Sequence, residues 1–81
     1  MIDRKTYLNL KREIKDTPRV FVVKLCEDMM LNTEEKTLLM NMYDNKSVIQ
    51  TCMELSFSEF TYNYKMKKLF TKINNYKNTL N

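Results

Sequence analysis

The chain has 81 residues, enough for one small domain with a modest core. It contains no glycine and no histidine, which excludes glycine-rich phosphate loops and removes the commonest general base and metal ligand. Its net charge of +4, with 30% charged and 43% hydrophobic residues, describes a folded soluble chain, and we expect neither an enzyme nor a bound cofactor.

In chain order, Asp3 to Asp16 reads as a first helix, with Tyr7, Leu10 and Ile14 on one stripe and Arg4, Lys5, Lys11, Arg12 and Lys15 around it. Thr17-Pro18 reads as an N-cap followed by proline in the first helical position. Val22, Leu25, Cys26 and Met29 repeat at helical spacing to about Met30, although Val20-Phe21-Val22-Val23 also has strand propensity. Asn32 with Glu35 predicts a capped third helix that buries Leu38, Leu39, Met42 and Tyr43. Ser47 with Gln50 is a capping box for a short fourth helix, with Val48, Cys52 and Leu55 inward. After the turn Ser56-Phe57-Ser58, Ser58 caps a long fifth helix lined by Tyr62, Met66, Leu69, Phe70 and Ile73. The polar, asparagine-rich tail from Asn74 is expected to fray.

The predicted fold is therefore all-α, about five helices in a single domain over 1–81. Residues 1–30 form a helical arm, 31–74 a helix-turn-helix and 75–81 a polar tail. Cys26 and Cys52 lack the close-spaced partners that zinc requires, and both fall on apolar stripes as small hydrophobes, so no metal is expected. The N-terminus lacks the apolar core of a signal peptide, and Val20 to Cys26 is too short to span a bilayer. These features predict a cytoplasmic location and no membrane partner.

From Leu31 to Ile73 the chain resembles the promoter-reading C-terminal domain of bacterial sigma factors, region four, and its small stand-alone relatives. The residues that carry the resemblance are Leu31, Asn32, Glu34, Glu35, Leu38, Leu39 and Tyr43, then Ser47, Cys52, Leu55 and Ser58, and finally Lys68, Lys72 and Ile73. Thr51 stands where the family usually has a large aliphatic residue, Cys52 where it has alanine and Ser56 where it has glycine. The start of the recognition helix, usually arginine-rich, reads Glu59-Phe60-Thr61. The resemblance implies a small transcription regulator of bacterial or phage type, with double-stranded DNA as partner and no catalytic residues.

Charge placement agrees with that expectation. Residues 1–26 carry a net +4, residues 27–59 a net −5, and residues from Phe60 onward a net +5. Positive charge gathered on one helix and one arm suits nucleic-acid contact. In the docking geometry of a helix-turn-helix, Glu59, Phe60, Thr61, Asn63 and Tyr64 would meet base edges, and Lys46, Lys65, Lys67, Lys68 and Lys72 would meet phosphates. Asn63 suits adenine, Phe60 or Thr61 a thymine methyl, and Glu59 a cytosine amine, a surface that favours A·T-rich sites. The outward face of the last helix is expected to present Phe60, Tyr64, Lys67, Lys68 and Thr71, flanked by Asn63 and Lys65. The alternative reading, drawn from the outward pair Phe60 and Tyr64, is a protein-interaction module on the same fold. Its partner would be RNA polymerase, another transcription protein as in an anti-sigma-like factor, or a second copy in a homodimer.

Overall fold

The computed structural model describes residues 2–80; Met1 and Asn81, at the ends of the expected arm and tail, lie outside the described residues. Among the described residues the chain is all-helical. It comprises α1 (Arg4–Lys15), α2 (Arg19–Asp28), α3 (Thr33–Tyr43), α4 (Val48–Leu55) and α5 (Glu59–Thr79).

Local chemistry sets most of the boundaries. The Asp3 carboxylate caps α1 by accepting from the Thr6 amide at 2.9 Å. Reciprocal capping boxes open α3 and α4. Asn32 Oδ1 accepts from the Glu35 amide at 2.8 Å while Glu35 accepts from the Asn32 amide at 3.1 Å. Ser47 and Gln50 repeat the arrangement at 3.1 and 3.4 Å. Ser58 Oγ accepts from the Thr61 amide at 3.1 Å and opens α5. The stretch at residues 20–24 is helix, as the buried spacing of Val22 and Cys26 demands.

The helix ends solve a problem that a chain without glycine must face. Met30, Asn45 and Ser56 all adopt left-handed backbone, with φ of 56°, 61° and 58°. Each lets the next amide close the helix: Leu31 N donates to Cys26 O at 3.0 Å, Lys46 N to Asn41 O at 2.9 Å, and Phe57 N to Cys52 O at 2.8 Å. These are Schellman closures in which a side chain occupies the position usually given to glycine.

Two boundaries differ from the sequence expectation. Pro18, not Thr17, occupies the N-cap position of α2, with no side-chain cap. The Thr17 hydroxyl is engaged instead with Glu13 O at 2.8 Å at the end of α1, and Thr17 O accepts from Tyr43 Oη at 2.7 Å. The second correction concerns the tail, which does not fray at Asn74: α5 continues to Thr79. Lys77 pairs there with Glu13 of α1, tying the last turns to the first helix.

α5 is the central strut, packed against α1, α3 and α4. Its buried residues Tyr62, Met66, Leu69, Phe70 and Ile73 meet Leu10 and Ile14 of α1, Val22 and Cys26 of α2, Leu38, Leu39 and Met42 of α3, and Cys52 of α4. Phe70 is fully covered and stacks on Tyr7, ring centroids 4.5 Å apart. Thr51, where the resembled family has an aliphatic residue, is also fully buried. Its Oγ1 is satisfied by Ser47 O at 3.1 Å and Asn41 Nδ2 at 3.3 Å. Both cysteines are free thiols in the core. No helix among the described residues is long and apolar enough to cross a membrane.

Candidate nucleic-acid interface

The candidate surface is the side of α5 that turns away from the Tyr62–Ile73 seam, together with what flanks it. Helical spacing sends Phe60, Asn63, Tyr64, Lys67 and Lys68 outward once Tyr62, Met66 and Leu69 are buried. Phe60 is 81% exposed and Tyr64 49%. Lys68 lies over the Tyr64 ring at 5.9 Å from its centroid. Neither Lys67 nor Lys68 makes an ion pair among the described residues.

The other expected site residues are placed differently. Thr61 is half-buried, and its Oγ1 is held at 3.0 Å by Ser58 Oγ, so it serves the helix cap before it can serve a base. Thr71, expected on the outward face, is half-buried. Its Oγ1 accepts from the Ile2 amide at 3.1 Å and bonds Lys67 O at 2.8 Å, so the N-terminal segment covers it. Lys65 reaches Glu34 at 2.6 Å and crosses the Phe57 ring at 5.0 Å. Lys72 pairs with Glu35 at 3.3 Å, and Lys46 with Glu54 at 2.9 Å. Glu59 stays exposed in the first turn of α5, beside the positive end of the helix dipole.

The five expected phosphate ligands therefore divide into two groups. Lys67 and Lys68 stand clear, whereas Lys46, Lys65 and Lys72 already hold carboxylates. These are surface pairs, worth about 0–1 kcal/mol each, so a phosphate could displace any of the three acids. The pair at Lys46 has a visible electrostatic effect: hydrogen bonds from Lys46 and then Asn41 lower the Glu54 pKa below its ordinary value.

Two clefts flank the outward strip. On one side lies a cleft of about 500 Å³ between α3 and α5, where Glu34 and Glu35 face Tyr64, Lys65, Lys68 and Lys72. On the other, a cleft of about 290 Å³ brings Asn63 and Lys67 together with the capping residue Asp3 and with Arg4, Tyr7 and Leu8 of α1. Arg4 is thus a basic neighbour that sequence reasoning left out of the site. Its signal was the positive charge of the N-terminal arm, but only the packing of α1 on α5 reveals which residue of that arm lies beside the strip.

A second exposed apolar strip lies on α4, the helix before the turn, where Ile49 is 68% and Met53 76% exposed, four residues apart. No group of histidine, cysteine and acidic side chains among the described residues could hold a metal ion. No family model, curated protein or solved structure matches this chain, so the resemblance to region four rests on the quoted residues and their spacing.

Proposed function

We propose that this protein is a small DNA-binding regulator of transcription, with α4, the turn Ser56–Ser58 and α5 acting as a helix-turn-helix. The observation that carries the reading is the outward strip of α5, where Phe60, Asn63 and Tyr64 precede Lys67 and Lys68, with Arg4 alongside. In this reading the N-terminal half of α5 enters the major groove. Asn63 offers the amide pairing that adenine accepts, Phe60 contacts a thymine methyl, and Lys67, Lys68 and Arg4 reach phosphates on either side. Glu59 disfavours any approach that brings phosphate to the first turn, and so helps orient the helix. Lys65, Lys72 and Lys46 join the contact only by leaving Glu34, Glu35 and Glu54.

The test is a duplex-binding measurement across a range of salt. Contacts by several cations release counterions, so affinity should fall steeply as salt rises. Removing Phe60 and Tyr64 together by alanine should flatten sequence preference while leaving non-specific affinity nearly intact. Binding that ignores salt would contradict the reading.

A second reading has its own observation: Phe60 and Tyr64 on α5 and Ile49 and Met53 on α4 give the α4–α5 unit more exposed apolar surface than scattered residues would. On that reading the unit docks on another transcription protein, and the Phe60/Tyr64 double variant should lose all binding, with little dependence on salt.

A further inference from the structure

α2 carries an unusual distribution of charge. Its first residue is Arg19 and its last two are Glu27 and Asp28, with no acid in the first turn and no base in the last. Each end therefore bears the charge that its own helix dipole disfavours. Within the chain only part of this is relieved: Arg19 pairs with Asp44 of the α3 cap, and Lys24 lies 4.0 Å from Asp28 on the same helix.

The same helix exposes apolar side chains that the fold leaves uncovered. α2 packs inward through Val22 and Cys26, while Val20 is 67% exposed and Phe21 59%. Met30, just past the helix end, is 86% exposed in its left-handed conformation. Exposed apolar residues thus bracket the helix, Val20 and Phe21 at its start and Met30 just past its end. The charged residues Lys24, Glu27 and Asp28 lie between them.

We infer that this face pairs with the same face of a second copy, the two α2 helices running antiparallel about a two-fold axis. Charge complementarity chooses both the occupant and the orientation. An antiparallel pair sets Lys24 of each copy against Glu27 and Asp28 of the other, and places the two helix dipoles side by side in opposite directions. The same register brings Phe21 of each copy to the exposed Met30 of its partner, a sulfur–aromatic contact that covers two of the exposed apolar groups of the segment. A parallel pairing would put like charges together at both ends. A contact of one ten-residue helix per copy lies at the small, transient end of interfaces. Self-association is therefore expected to be weak, in the micromolar range or above. It is measured without nucleic acid, and so stands or falls separately from the DNA reading.

The experiment is sedimentation equilibrium on the full chain, with helicity followed by circular dichroism. Wild type should dimerise. Phe21→Glu should weaken the dimer at least about tenfold, as should Lys24→Glu alone and Glu27→Lys with Asp28→Lys, because each sets an uncompensated charge against the partner. All three changes lie on exposed positions and should leave helicity unchanged. The decisive sample is an equimolar mixture of the last two variants. The carboxylate introduced at position 24 of one then faces the two ammonium groups introduced at positions 27 and 28 of the other, and the mixture should associate within about threefold of wild type. A wild-type chain that stays monomeric up to about 1 mM overturns the inference. So does a dimer broken by Phe60→Glu and not by Phe21→Glu, or a charge-swapped mixture that fails to associate.

Discussion

Two tyrosines make the least obvious contribution to stability. Burial raises the phenol of Tyr7, packed on Phe70, above its ordinary value, and Tyr62 is raised by burial with a smaller effect of Cys52. A group that holds its proton more tightly when folded stabilises fully below its unfolded pKa and loses that contribution as pH rises through the folded value. The urea midpoint should therefore fall as pH rises above about 10, and Tyr7→Phe with Tyr62→Phe should flatten that fall while changing little near neutrality. An alkaline decline unchanged in the double variant would show that other groups cause it. At the acid end, Asp3 is lowered by its hydrogen bonds to Thr6, and Glu54 by those from Lys46 and Asn41. Their contribution is present above the ordinary carboxylate range and lost as pH falls through the lowered values, but both groups are exposed and the effect is small.

At the scale of the helix, what was legible in the sequence was what depends on near neighbours. Asn32 with Glu35, Ser47 with Gln50, and Ser58 with Thr61 are all interactions over three residues, and all three set helix starts where the sequence put them. The buried faces of α3 and α5 were legible for the same reason, since periodicity is local. The end of α5 was not, because Lys77 finds Glu13 across 64 residues, and no composition rule for the tail can see that partner. Ser56 gives a test at this scale. Its φ of 58° costs a non-glycine residue about 1–2 kcal/mol, and glycine would return part of that gain through a more flexible unfolded chain. Ser56→Gly should raise stability by roughly 0.5–1 kcal/mol in urea unfolding. A loss of stability would mean that the Ser56 side chain has a role beyond the turn.

Across the whole molecule, the acidic start of α3 lies beside the basic α5, and this arrangement decides how much positive charge the surface presents. The sequence showed three charged blocks, but not that Glu34 and Glu35 would reach Lys65 and Lys72, which lie 31 and 37 residues further on. The strip was thus legible as a helix face, while its partial neutralisation was not. If α5 binds phosphate, those acids compete with DNA for the same lysines. Glu34→Gln with Glu35→Gln keeps an acceptor for the Asn32 cap and should tighten duplex binding several-fold at low salt, as read by fluorescence anisotropy. Unchanged affinity would place Lys65 and Lys72 outside the contact.

The most direct test of the central claim is the salt dependence of duplex affinity in wild type and in Lys67→Ala with Lys68→Ala. If these two lysines meet phosphates, the double variant should bind more weakly to every sequence. Its plot of log affinity against log salt should also be shallower by about 2. A double variant whose affinity and slope match wild type would contradict the claim that the outer face of α5 contacts DNA.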